Sequence, residues 1–284
     1  LVSAADEASA EDEKAAVNAE LFYEILVGEM TTNQGDPASG YALYLDAARR
    51  SGESQLYRRA TEIALQSRSA ESALIAARAW KSAFPDSQDA NRYLLQILVI
   101  LNRIDETGDL LKQEITQSSP RVKLITLRAL PQIYGHVSNK AQAASIVESA
   151  VANELSNPAV GPTAWTTIGR MRLAANNPAG ALDAAKQALK LDRSDEGAGM
   201  LILLLLEQDV PGADKLIEQY LAGTPGTEVR LAYARMLLQA RRNSEAREQL
   251  EKVTQSNPEI PDSWLVLASL NVQAKQLEAA DNAL

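Results

Sequence analysis

Two stretches of sequence decide the fold: Trp165-Thr-Thr-Ile-Gly-Arg-Met-Arg-Leu and Trp264-Leu-Val-Leu-Ala-Ser-Leu-Asn-Val. Sixteen residues after each tryptophan an alanine, Ala181 or Ala280, lies in a second amphipathic stretch. Internal similarity at a fixed spacing indicates a repeat array rather than an ordinary globular domain. Both tryptophans are therefore predicted to bury most of their surface in seams between stacked repeats.

Composition supports helices and excludes several kinds of function. The chain is 46% hydrophobic but only 5% aromatic, which favours helix over strand. Its net charge of −9 disfavours binding to nucleic acid, whose phosphates would be repelled. It contains no cysteine, so disulfides, thiolate metal sites and cysteine nucleophiles are excluded.

Prolines divide the chain at intervals of about 34 residues, and shorter polar breaks lie between them. Each interval is predicted to hold a helix, a tight turn and a second helix. Residues 1–19 are acidic and poor in apolar side chains, so they are predicted to form a disordered lead, a frayed first helix or a tether to a membrane anchor. The predicted units are 20–52, 53–86, 87–119, 120–158, 162–195, 196–225, 227–259 and an incomplete 261–284.

The unit at 162–195 resembles the tetratricopeptide (TPR) repeat. The resemblance is carried by Trp165, Ile168 and Gly169 in the first helix and by small residues in the second, namely Ala181, Ala185 and Ala188. It implies an all-α fold, a right-handed α-solenoid of about seven to eight helix-turn-helix units. Such units cannot bury their apolar faces alone and must stack on their neighbours.

The segments Leu21–Glu29 and Arg58–Leu65 are similar to the opening of proteobacterial TPR lipoproteins of the cell envelope. That group includes an outer-membrane adaptor for a periplasmic carboxy-terminal-processing protease. The resemblance implies a periplasmic scaffold, held at the outer membrane by a lipid anchor outside this chain, that brings substrates to such a protease. The alternative is a cytoplasmic TPR scaffold in a signalling or assembly complex.

In TPR arrays, fixed positions of the first helix line the binding groove. Carried over to this sequence, the TPR pattern predicts a partner groove for a protein or peptide. In the second unit a register shift of one residue would replace Arg58 and Glu62 by Tyr57 and Thr61. The predicted groove residues are Arg58, Glu62, Arg92, Gln96, Thr166, Arg170, Leu231, Arg235 and Gln239.

Arginines recur on this predicted face although the chain is acidic. Guanidinium groups there would bind carboxylates or phosphates of a partner in two-point contacts. Alternatively, the arginines cover apolar surface with their stems and pair with acidic residues of the neighbouring unit.

Catalysis has little support in the sequence. His136 is the one histidine and has no metal-ligating or nucleophilic companion in a recognisable motif. No glycine-rich loop follows a strand, so no nucleotide site is predicted. We therefore predict no cofactor, no metal and no enzyme activity, although an enzyme subunit remains the alternative from another class.

The last predicted unit stops within its second helix. Leu277, Ala280 and Leu284 would form an apolar face there without a following repeat. We expect the natural protein to continue beyond this point, and the uncovered end to be a site of self-association.

Overall fold

The computed structural model describes the backbone of residues 4–273 and the side chains of residues 19–272 except Asp262. This part of the chain is helical throughout and contains no strand. Its fifteen α-helices are α1 (Ala4–Asn33), α2 (Pro37–Ser51), α3 (Ser54–Gln66), α4 (Ala70–Ala83), α5 (Gln88–Ile100), α6 (Gly108–Gln117), α7 (Pro120–Ile133), α8 (Lys140–Val151), α9 (Gly161–Ala174), α10 (Pro178–Leu191), α11 (Glu196–Glu207), α12 (Ala213–Ala222), α13 (Thr227–Gln239), α14 (Asn243–Ser256) and α15 (Pro261–Gln273).

The helices form two compact units, residues 1–117 and residues 118–284. We call the odd-numbered helices A and the even-numbered ones B. In the N-terminal unit each helix packs on the next, from α1 to α6. In the C-terminal unit α7, α9, α11 and α13 also contact one another in order, so the A helices form a row. The prediction of an all-α solenoid of paired helices is confirmed.

Helix starts carry the expected caps. The side chains of Asp36, Ser87, Asn139 and Asn177 each accept a hydrogen bond from the backbone N–H three residues later. These bonds satisfy N–H groups that have no partner within the helix. Proline occupies one of the first two positions of α2, α7, α9 and α10, where its missing N–H costs nothing.

One turn recurs between the A and B helices and explains the repeat. After an A helix, a residue adopts a positive φ, and the next N–H donates to the carbonyl five residues earlier, as from Arg242 to Leu237 at 2.8 Å. This arrangement is the Schellman motif, which ends a helix and reverses the chain. In these turns the residues with positive φ are Gly35, Arg68, Asn102, Asn176, Asp209 and Arg241.

The turn between α7 and α8 departs from this pattern. Helix α7 passes through Pro131 and ends at Ile133, and a 3₁₀ turn, Tyr134–His136, follows it. Proline removes a backbone donor and crowds the preceding turn, so the helix stops within two residues of it. The helix therefore ends close to Pro131.

The tryptophans that reveal the repeat bury most of their surface, as predicted, but they are not the most buried ones. Trp165 and Trp264 are partly exposed, and their indole N–H groups donate to the carbonyls of Leu155 and Pro258 in the turns before their helices. Each ring therefore covers a turn at the entrance of its own helix. The fully buried tryptophan is Trp80 of α4, at 2% exposure.

The predictions for the two ends of the chain concern residues that the structure describes only in part. Helix α1 begins at Ala4, inside the segment predicted as a disordered lead or frayed helix, and the unit boundaries stay predictions. The predicted apolar end formed by Leu277, Ala280 and Leu284 lies outside the described residues. Within the described residues, no helix combines the length and hydrophobicity needed to cross a bilayer.

Candidate binding face of the C-terminal unit

The row of A helices in the C-terminal unit exposes apolar and basic side chains next to one another. Ile125 of α7 is 61% exposed, and Met200 and Leu204 of α11, one turn apart, are more than one third exposed. Arginines are exposed on other helices of the same row as well as on α7: Arg128 on α7, Arg170 on α9 and Arg235 on α13. We define the A-helix face as Ile125, Arg128, Arg170, Met200, Leu204 and Arg235.

A pocket of ≈ 300 Å³ lies in this face where α7, α9 and the start of α11 meet. Arg128 and Arg170 line it from two different helices. Thr166 and Met200 contribute a hydroxyl group and a thioether side chain. The pocket therefore brings two cations, a hydroxyl group and an apolar surface within reach of a single bound side chain.

Two acidic residues, Asp195 and Glu196, also line the pocket. Asp195 caps α11: its Oδ1 accepts a hydrogen bond from the backbone N–H of Ala198 at 2.6 Å and another from Thr166 Oγ1 at 3.2 Å. The side chain of Glu196 lies along Gly226, where an added Cβ would come within 2.1 Å of its Oε1. Neither carboxylate forms an ion pair with an arginine of the face.

The arginines of the face are unpaired. In the part of the chain that the structure describes, Arg128, Arg170 and Arg235 make no ion pair and no side-chain hydrogen bond. A guanidinium group carries five N–H donors in a planar fork and stays charged at any physiological pH. The three side chains are therefore free to bind an anion supplied by a partner.

The arginines predicted to line a groove in the N-terminal unit are used within that unit. Arg58 pairs with Glu62 at 3.8 Å, and Glu62 accepts a hydrogen bond from Tyr93 at 2.9 Å. Arg92 pairs with Asp89 at 2.5 Å. Arg58 and Arg92 thus pair with acidic residues of their own helices rather than with those of the neighbouring unit, whereas the arginines of the A-helix face are free.

A further ion pair joins the A helices of the N-terminal unit. Arg59 of α3 donates to Glu29 of α1 at 2.5 Å, and Tyr44 of α2 donates to the same carboxylate at 3.0 Å. The hydrogen bond from Arg59 holds the pKa of Glu29 below its usual value. This network contributes to packing, and it leaves no free charge for a partner.

The structure brings some predicted residues together and adds others. Thr166 and Arg170 meet in the pocket, whereas Arg235 and Gln239 are exposed one turn apart on α13 and Gln96 is exposed on α5. Leu231 is buried in the core. The groove prediction omitted Arg128, because it assigned no groove position in the unit at 120–158. It also missed Asp195, although an Asp directly before an apolar run is a helix-cap signal.

The structure locates the residues that were considered for catalysis or metal binding. His136 is exposed in the 3₁₀ turn after α7. Among the described side chains of residues 19–272, no group of three or more His, Cys, Asp or Glu is arranged to hold a metal ion.

No protein-family model matches the sequence, and a comparison with curated proteins finds no relative. Among solved structures, yeast Tom70 is 10% identical with a TM-score of 0.38, over 94% of this chain and 68% of that one. A MamA RS-1 ArsTM double mutant is 10% identical with a TM-score of 0.32, over 71% and 93% of the two chains. PilW, a widely conserved type IV pilus biogenesis factor, is 15% identical with a TM-score of 0.35, over 71% and 90%. These likenesses are weak, and the repeat fold rests on the helices and turns described above.

Proposed function

We propose that this chain is a non-enzymatic scaffold that binds a segment of a partner protein on the A-helix face of its C-terminal unit. One observation carries the proposal: three unpaired arginines stand beside exposed apolar side chains on contacting helices. Exposed apolar surface that a chain leaves uncovered marks a site of interaction. Arginine and large apolar residues are also the types that contribute most to protein interfaces.

The chemistry of the face specifies the partner segment. Arginine binds a carboxylate through two parallel N–H···O bonds, so Arg128 and Arg170 favour an Asp or Glu side chain or a terminal carboxylate in the pocket. Met200 and Leu204 favour an apolar residue next to it. The partner segment is therefore acidic and apolar in alternation, and its binding weakens as salt screens the charges.

Charge reversal in the pocket tests this proposal. We expect Arg128→Glu or Arg170→Glu to weaken binding about 30-fold, or about 2 kcal/mol, without lowering the melting temperature. Short random peptides displayed on phage and selected on the wild-type chain supply the ligand, and fluorescence anisotropy measures the affinity. The selected peptides are expected to combine Asp or Glu with Leu, Ile, Met or Phe.

Arg92→Glu is the matched control. Arg92 was predicted to line the same groove, but in the structure it pairs with Asp89 and lies in the N-terminal unit. The variant Arg92→Glu changes the net charge by the same amount as Arg170→Glu and should leave peptide affinity within about twofold. The proposal would be contradicted if the selected peptides lacked acidic residues, or if Arg92→Glu and Arg170→Glu lowered peptide affinity equally.

We further propose that the scaffold works in the bacterial cell envelope, at the outer membrane, as an adaptor that delivers substrates to a carboxy-terminal-processing protease. The sequence similarity of Leu21–Glu29 and Arg58–Leu65 to envelope lipoproteins supports this finer role. Metabolic labelling of the natural protein with a radioactive fatty acid tests the anchor, and membrane fractionation tests the location. An unlabelled cytoplasmic protein would favour the alternative, an intracellular assembly scaffold.

The adaptor role has its own biochemical test. The purified protease should degrade its substrates faster when the scaffold is present, and Arg170→Glu should reduce that acceleration. Degradation at the same rate with and without the scaffold would contradict the adaptor role, while leaving peptide binding on the A-helix face intact.

A further inference from the structure

A second cleft, of ≈ 650 Å³, lies between the B helices α10 and α12 of the C-terminal unit. Its charged lining residues are all cations: Lys186 and Lys190 of α10, and Arg193 just after that helix. No carboxylate lines it, although acidic residues outnumber basic ones in the whole chain. The cleft is therefore a local basic site in an acidic protein.

The three cations are weakly neutralised by their surroundings. Lys186 lies 3.6 Å from Asp183, but both side chains are about half exposed or more, and such pairs contribute little. Lys190 contacts only the neutral side chain of Gln187, at 3.3 Å. Arg193 makes no ion pair or side-chain hydrogen bond with the described residues. Like charges gathered in a concave site focus a positive potential there.

An acidic residue next to the cleft, Asp192, is engaged in a turn and does not line the cleft. Asp192 precedes Arg193, but its Oδ1 accepts hydrogen bonds from the backbone N–H and the hydroxyl group of Ser194, at 2.9 and 2.7 Å. That carboxylate belongs to the turn after α10.

The floor of the cleft is apolar and fixed in position. Leu216 and Tyr220 of α12 line it and belong to the buried core of the unit. The Tyr220 hydroxyl donates to the Ser194 carbonyl at 3.4 Å and accepts from the Gly226 N–H at 3.2 Å. Because the hydroxyl is held there, the tyrosine presents its ring to the cleft.

We propose that this cleft binds a phosphate group that carries an apolar substituent. Lys186, Lys190 and Arg193 neutralise the phosphate, and Leu216 and Tyr220 contact the substituent. Three cations around one site favour phosphate over carboxylate, because the oxygens of a tetrahedral phosphate point in different directions and both lysine and arginine bind phosphate. The phosphate belongs to a soluble monoester or to a phospholipid headgroup.

Titration calorimetry with the full chain tests the cleft. We expect butyl phosphate to bind more tightly than inorganic phosphate, because of the apolar floor, and more tightly than pentanoate, because of the three cations. The double variant K190E/R193E should weaken butyl phosphate binding about tenfold or more, or about 1.4 kcal/mol. The double variant K112E/K252E makes the same charge change outside the cleft and should leave binding within about twofold.

Vesicles distinguish the two sources of phosphate. Sedimentation with phosphatidylglycerol vesicles but not phosphatidylcholine vesicles, abolished by K190E/R193E, supports a lipid headgroup. Butyl phosphate binding without sedimentation supports a soluble monoester. The proposal is overturned if K190E/R193E and K112E/K252E bind every probe as the wild type does, or if pentanoate binds as tightly as butyl phosphate. Loss of peptide binding on the A-helix face would not affect this result.

Discussion

Trp80→Ala should destabilise the N-terminal unit by about 3–5 kcal/mol, the largest single loss we expect. The Trp80 side chain is almost fully buried, and its ring lies 5.6 Å from that of Tyr93, at an interplanar angle of 45°. Its indole N–H donates to the Ser54 hydroxyl at 2.8 Å. Trp80 therefore contacts both its own helix pair, through Ser54 of α3, and the next pair, through Tyr93 of α5.

Urea denaturation, monitored by circular dichroism at the helical band, measures this loss of unfolding free energy. Trp165→Ala is the matched control: the same atoms are removed, but from a half-buried ring that covers a turn, so we expect a loss of about 1–2 kcal/mol. Trp80→Phe keeps most of the side-chain volume and removes the N–H donor. Its loss of stability should fall between those of Trp80→Ala and Trp165→Ala. Equal losses at Trp80 and Trp165 would show that the difference in burial does not set stability.

The sequence predicted the helix pairs because their limits are local. Proline and polar breaks mark helix ends, and Asn102 and Asn176, which adopt positive φ in the recurrent turn, lie in breaks visible in the sequence. Arg68 adopts the same conformation but gives no such signal, since arginine rarely does so. That turn follows from the packing of neighbouring helices.

Burial was harder to predict than helix position. The repeated tryptophans drew attention to a position in the A helix, whereas Trp80 lies in a B helix. Its burial depends on Tyr93, a residue of the next helix pair. The repeat pattern shows which residues share a helix face, but the depth of a side chain depends on neighbours that differ from one unit to the next.

The candidate site was predicted only in part, again because the repeat pattern does not show the contacts of each side chain. Helical register placed Thr166 and Arg170 on one face, and the pocket contains both. The same rule selected Arg58 and Arg92, which pair with acidic residues of their own helices. Register locates a side chain on a helix, but whether its charge is free depends on which acidic residues lie within reach.

Lys123→Met should destabilise the C-terminal unit by about 2–4 kcal/mol, because it leaves a carboxylate buried without its cation. Lys123 of α7 donates to Glu154, which lies in the 3₁₀ turn after α8 and also accepts from Asn157 at 3.1 Å. Only 14% of the lysine side chain and 11% of the glutamate side chain are exposed. Water therefore cannot replace the lost ammonium group at full strength.

The double variant K123M/E154Q separates the cost of an orphaned charge from the net contribution of the ion pair. Replacing both partners removes the charge that needs compensation, so most of the stability lost in Lys123→Met should return. Urea denaturation of the wild type, the two single variants and the double variant completes the cycle. Additive losses in the double variant would mean that Lys123 and Glu154 contribute through separate contacts. Recovery would show that the carboxylate tolerates its buried position because α7 supplies a cation to the turn after α8, beside the helix row that forms the A-helix face.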